Sequence, residues 1–472
     1  MAVFAGGNDK SYTVGSRALK ELAGWDLNPT RVAELTAQAG REMEEQQKQR
    51  AEAFQQREAN RPLTAAREVS DRAPANLPQV GVVEMDGGRI RTRDEDCPRG
   101  VTHPHWREFQ AGCVVRLQSA VSVKDPRPEV PRLFLDRPKV HKLVSQLHRQ
   151  RNGSPEENGN KESIGELLAL EKLAENSADV AASPARAETS RRDRPQRLMR
   201  TCIATLQGAD ACGRMLAAEA ADRGLDQAPR KAFVGDGQTC NWTVWKRYFK
   251  RQHYVPIADF IHLISYVYTL AMAVGRDADE GWGLHTKWVT ALWSGRAADV
   301  LADWRSLAEP LGIPPDKALS DDDPRRPIQR GLTYLSNNLQ RVDYPRYRRM
   351  GLPVTSTLME SLVKEFNLRV KGTEKFWTDP QGAEAILTVR AALLSEDDRF
   401  AEFFATRPGC RYRRRKTLTR EDAQAKLATS SQKRERPYGP GWIDGQKRGG
   451  FRHLLPICPK SSLYSGCPSR VE

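Results

Sequence analysis

Two short apolar runs in this chain end the same way. Val82, Val83 and Met85 lead into Asp86-Gly87-Gly88, and Ala232-Phe233-Val234 leads into Gly235-Asp236-Gly237. Runs of this length bounded by glycine read as strands. A strand end flanked by glycine gives a carboxylate a rigid, exposed perch that a phosphate backbone can approach closely. Hard cations such as Mg2+ take one or two such carboxylates together with water and phosphate oxygens. Asp-Gly is also a common turn dipeptide, so each site taken alone reads first as a turn.

A third acid changes the weighing. Leu358, Leu362, Phe366 and Val370 form an apolar stripe at four-residue spacing, which predicts a helix over about 356–371. Glu360, Lys364, Asn367 and Lys371 share another face of it, a carboxylate beside amines. The plain structural reading is a capping box from Thr357 to Glu360 and an ordinary ion pair from Glu360 to Lys364. The order is more telling than any one site. A strand with an aspartate, further strands, a helix, a second strand with an aspartate and a later helix with a glutamate is the layout of a ribonuclease-H-like core.

The rest of the chain divides by composition. Residues 1–60 read as helical, with two amphipathic segments over 16–60 joined by Asp26-Leu27-Asn28-Pro29. They form a helix-turn-helix DNA-binding region or an ordinary helical hairpin. Residues 61–80 are a Pro- and Ala-rich linker. The predicted α/β core, a mixed sheet flanked by helices, begins at 81–275, with a second strand over 109–123, a basic helix after Pro138 and a helix over about 197–223. A polar, aromatic-poor stretch at 150–196 interrupts it and reads as a flexible insertion with one helix around Gly165–Glu175. Residues 276–345 read as an all-helical insertion holding Trp282, Trp288, Trp293 and Trp304, more suited to a helical core than to base stacking. The Glu360 helix falls in 346–410. Residues 411–472 are basic, rich in Gly, Pro and Ser, and read as a largely disordered tail.

Charge limits the partner. Lys and Arg number 75 against 60 Asp and Glu, a net charge of +15, which favours a polyanion such as DNA. Arg346, Arg348 and Arg349, interleaved with Tyr344 and Tyr347, precede the Glu360 helix, and Lys364, Arg369, Lys371 and Lys375 follow on or after it. Cations mixed with aromatics suit a DNA backbone. The eight cysteines include no C-x-x-C pair, and Cys97, His103, His105 and Cys113 follow no standard zinc spacing. The most apolar stretch, Tyr254 to Gly275, contains Pro256, Asp259 and His262, which argues against a membrane span. A reducing cytoplasm, with the chain associated with the bacterial nucleoid, is the expected location.

The stretches VEMDGGRIRTR, HPHWRE, FLDRPKV, FVGDGQTCNWTVWKRYF, YVPIADFIHLISYVY, RPGCRYRRR and, above all, the segment from Asp343 to Trp377 resemble the ISKra-type insertion-sequence transposases. These belong to the DDE transposases that include the Mutator-like group. The resemblance covers about residues 12–415. It implies a DNA transposase that cleaves insertion-sequence ends and transfers them into target DNA, working as a homodimer or higher multimer. By motif, Asp86, Asp236 and Glu360 would be the catalytic acids holding two Mg2+ ions, with Mn2+ able to substitute. Asp259-x-x-His262 looks like the D/C-x-x-H motif of Mutator-like enzymes, and a triad of Asp236, Asp259 and Glu360 is the alternative assignment. The family's Cys-rich N-terminal segment is not in this sequence, and residues after about 416 depart from its pattern. A catalytically silent DNA-binding derivative and a ribonuclease-H-like nuclease without strand transfer are the competing functions.

Overall fold

β1 (Val80–Thr92) is paired on both sides. It runs antiparallel to β2 (His105–Gln118), from Val80↔Leu117 to Thr92↔His105, and parallel to β4 (Arg230–Gly235), from Val80↔Arg230 to Met85↔Gly235. β3 (Gln196–Thr205) lies antiparallel beside β2, and β5 (Val255–Ala258) parallel beside β4. The sheet order is β3-β2-β1-β4-β5. β4 stops at Gly235, so beyond Met85 the sheet narrows and β1 continues to Thr92 with β2. These relations come from a computed structural model describing residues 1–62, 70, 72–73, 76–92, 105–152, 195–314, 318–320, 322–371, 375–377 and 380–407. The expected insertion helix around 165–175, most of the 61–80 linker's first half and the tail at 411–472 lie outside the described residues.

Helices cover both sheet faces. The described ones are α1 (Ala2–Asn8), α2 (Tyr12–Ala23), α3 (Pro29–Asn60), α4 (Arg137–Asn152), α5 (Ala209–Asp222), α6 (Thr239–Val244) and α7 (Phe260–Val274). They continue with α8 (Ala278–Trp293), α9 (Ala297–Ala308), α10 (Arg326–Asn338), α11 (Tyr344–Arg349), α12 (Thr357–Val370), α13 (Pro380–Leu394) and α14 (Arg399–Thr406). Strand alternation assigns the faces. Val80, Val82, Phe109, Ala111, Cys113, Ala232 and Val234 join a core with residues of α4, α7, α12 and α13. Val83, Met85, Val114, Ile203 and Phe233 pack instead against α5 and the end of α3, through Met215, Leu216, Ala51 and Phe54. The molecule is therefore an α/β protein built on a mixed five-stranded sheet flanked by helices.

One expected helix is half strand. Residues 196–205, read as the start of a helix over 197–223, form β3. Thr201, Cys202, Ile203, Ala204 and Thr205 are all buried. Five consecutive buried residues suit a strand covered on both faces, whereas an amphipathic helix exposes part of each turn. Gly208, at φ 88, marks where the strand ends and α5 starts.

The first sixty residues do not stand apart. α3 lies along α13, so closely that a Cβ on Gly40 would come within 2.3 Å of the Ala385 carbonyl oxygen. Val3, Ala39 and Met43 share a core with Val389, Ala392 and Phe403. In the helical block α8–α10, Trp288, Trp293 and Trp304 are fully buried, and Trp282 stacks on His285 at 4.8 Å. No helix among the described residues is long and apolar enough to cross a membrane.

Candidate functional site

The register of the parallel strands brings the expected aspartates together. Met85 pairs with Gly235, and Gly235 with Ala258. The next residue in each case is an aspartate, so Asp86, within β1, and Asp236 and Asp259, just past the ends of β4 and β5, lie in one row, with backbones about 4.8 Å apart from strand to strand. Asp86 falls on the same face as Val80 and Val82, and Asp236 on the same face as Ala232 and Val234. That is the face covered by α12. Phe366 of α12 meets Phe109 of β2 at 6.0 Å between rings, and Leu362, Phe366 and Val370 are buried as the stripe requires. Glu360 is in the first turn of this helix, and its side chain lies outside the described residues.

Each aspartate has a different environment. Asp86 is half-buried and accepts the Gly87 N–H at 2.7 Å. Burial, then the negative charge of Asp236, pushes its carboxyl up to about 6. Asp236 is buried, and the loop after β4 holds it. Its Oδ1 accepts the Gln238 N–H at 3.0 Å and Asn241 Nδ2 at 2.7 Å, and its Oδ2 accepts Gln238 Nε2 at 2.6 Å. Asp259 is fully buried at the N-cap of α7. Its Oδ2 accepts the His262 N–H at 3.0 Å and lies 2.7 Å from His262 Nδ1, while its Oδ1 accepts the Ser356 N–H at 2.7 Å.

A residue from the helical block closes one wall. Tyr334 of α10 stacks on Tyr266 of α7 at 4.1 Å, and a Cβ on Gly237 would meet the Tyr334 ring at 2.3 Å. With φ 92 as well, position 237 accepts only glycine without strain. Burial, then Tyr344 and Asp236, raises the Tyr334 hydroxyl well above its ordinary value, so it stays protonated.

The donor set of Asp86 and Asp236 suits a hard cation. Both are oxygen donors, Asp86 within β1 and Asp236 just past the end of β4, and among the described residues neither pairs with a Lys or Arg. Burial is the larger cause of the raised Asp86 carboxyl and the Asp236 charge the second, and His262 and the Gly87 N–H lower it by less than these raise it. Among the described residues, no group of three or more His, Cys, Asp or Glu side chains stands close enough to hold a metal ion. Asp259 is the most enclosed of the three: it is 0 % exposed, and each of its oxygens accepts a backbone N–H, one of them from a residue at the start of α12.

The expected DNA-facing cations separate into two sets. Arg348 is not at the surface: it is 1 % exposed, pairs with Asp125, lies 4.0 Å over the Trp293 ring and donates to the Trp293 carbonyl at 2.9 Å. Arg369 is also inside, donating to the Gly6 carbonyl at 2.8 Å beneath Tyr12. Lys375 turns back to the carbonyls of Leu368 and Arg369 at 3.3 and 3.1 Å, where it caps α12. These three serve the fold. Arg346 is exposed, Arg349 and Lys364 are half-buried, and Lys371 lies 6.0 Å from the Trp106 ring. The sequence reading missed a basic stretch directly after Asp236, where Lys246, Arg247, Lys250 and Arg251 are exposed. It also missed Glu84, buried two residues before Asp86 on the same strand.

The chain matches no known family model, and no curated protein is significantly similar to it.

Proposed function

We propose that this protein is a DNA transposase with a ribonuclease-H-like core, cutting the ends of a mobile element and joining them to target DNA. The observation that carries the reading is the row of aspartates: Asp236, just past the carboxyl end of β4, beside Asp86, midway along the neighbouring parallel strand β1, on the face that α12 covers. Three antiparallel strands followed by two parallel to the first, then a helical block and a helix bearing Glu360, agree with the order expected of such a core.

Asp86, Asp236 and Glu360 would hold the divalent ions. Bound Mg2+ supplies neutralisation of phosphate charge and a more acidic water or hydroxyl nucleophile. The protein's part is to fix the donors. Asn241 and Gln238 lock the Asp236 carboxylate in one orientation, and the Gly87 N–H does the same for one oxygen of Asp86. Exposed Arg346 and the basic stretch 246–251 are suited to the flanking phosphates.

A strand-joining assay tests the reading against its rivals. The protein is incubated in Mg2+ with a labelled duplex carrying the element's own end and an unlabelled plasmid. Joined product is the expected result. Cut but unjoined ends would indicate a nuclease, and binding without cutting a silent derivative.

A further inference from the structure

The row of three aspartates hides a division of labour. Asp259 is 0 % exposed, while Asp86 is half-open beside Asp236. Its two oxygens point in opposite directions along the chain. One caps α7 and holds the His262 ring, and the other takes the backbone N–H of Ser356, a residue 97 positions further on. Ser356 is the N-cap of α12, four residues before Glu360. Around it, the Asp259 N–H donates to the Gly235 carbonyl at 2.8 Å, and the Phe260 N–H to the Val354 carbonyl at 3.0 Å.

We infer that Asp259 is a positioning residue, a buried clamp that ties the start of the Glu360 helix to the end of β4, beside Asp236 and its neighbour Asp86. The helix start would otherwise hang on the loop at 350–356. A carboxylate accepting backbone N–H groups on both sides is a strong, directional tie in a buried setting. This inference rests on the transposase reading for its consequence, but the clamp itself does not. An Asp259→Asn side chain keeps size and N-cap competence. Its single oxygen serves only one side, and its NH2 faces a donor on the other.

The test compares wild-type, Asp259→Asn and Asp236→Asn proteins by three measurements: amide hydrogen exchange, Mn2+ affinity and the rate of end cleavage in Mg2+. In Asp259→Asn, exchange over 354–362 is expected to accelerate at least about tenfold while 363–370 stays protected. Its Mn2+ affinity is expected within about threefold of wild type, against a fall of about 100-fold for Asp236→Asn. Its cleavage is expected to slow by about 100-fold, as for a group misplaced by an ångström. Unchanged exchange overturns the clamp. A loss of Mn2+ affinity equal to that of Asp236→Asn makes Asp259 a ligand and overturns the inference, as does normal cleavage despite faster exchange. If Asp259→Asn fails to fold, Asp259→Ser, which still caps α7 but is too short to reach Ser356, is put through the same measurements. If the wild type cuts no DNA, the transposase reading fails, and hydrogen exchange alone still decides the clamp.

Discussion

At the scale of single residues, the sheet places two like charges, Asp86 and Asp236, side by side with no arginine or lysine paired to either among the described residues. Asp86, with its carboxyl raised to about 6 against an ordinary 3.8, favours the neutral form in the native protein. The stability tied to that proton is complete below about pH 4 and is lost as pH rises through 6. That difference corresponds to about 3 kcal/mol. In metal-free buffer, Asp86→Asn is therefore expected to be more stable than wild type by about 1–3 kcal/mol at pH 7.5 and equal to it below pH 4. Urea unfolding in EDTA at the two pH values checks this, and a wild type more stable at pH 7.5 would contradict it. The arginines make a second contrast. Arg348→Ala strips a buried partner from Asp125 and is expected to cost about 3 kcal/mol. Arg346→Ala is expected to leave stability within about 0.5 kcal/mol. It is also expected to lower the salt dependence of DNA binding by about one phosphate contact. Unfolding curves and anisotropy titrations over a range of salt separate the two.

At the scale of elements, the parts of the site that the sequence announces are those with local signatures. β4 is a short apolar run that ends just before Asp236, and α12 carries its stripe from Leu362 to Val370, so Asp236 and the Glu360 helix were legible. β1, in contrast, does not stop at its Asp-Gly but runs on through Asp86-Gly87-Gly88 to Thr92, because β2 keeps pairing with it. β3 was not legible, because Leu198, Cys202 and Ile203 also satisfy helical spacing and the run continues into α5 without a proline. Only pairing with β2 and cover by α13 decide for a strand. The fates of Arg348 and Arg369 were illegible for the same reason. Asp125, Trp293 and Gly6 are remote in sequence, and a basic run looks the same whether its partners are phosphates or its own carbonyls. The tie from Asp259 to Ser356 likewise has no local pattern. The α3–α13 contact yields a test at this scale. Gly40→Val places a branched side chain against the Ala385 backbone and is expected to destabilise by about 1–3 kcal/mol. Unchanged thermal unfolding would contradict the close packing of these helices.

At the scale of the whole molecule, distant parts of the chain are held to one sheet. Arg399 of α14 pairs with Glu219 of α5 at 2.8 Å and with Asp397 at 3.0 Å, and Asp397 also binds Arg223 at 2.7 Å. Burial raises the Glu219 carboxyl, but Arg399, Arg50 and Arg223 together bring it below its ordinary value, so the cluster is charged and its acids are paired. Among the described residues, Asp86 and Asp236 have no such arginine partners. The sequence carries a net charge of +15, which suits a polyanionic partner, and Asp86 and Asp236 stand close enough for their charges to repel, which a divalent ion would relieve. The most direct test is cleavage of a duplex carrying the element's end, with and without Mg2+, by wild type and by Asp86→Ala, Asp236→Ala and Glu360→Ala. Mg2+-dependent cutting by wild type and loss of cutting by about 1,000-fold or more in each variant, with DNA affinity within about threefold, is the expected result. Cutting that needs no divalent ion, or that persists when any one of the three acids is replaced, would contradict it.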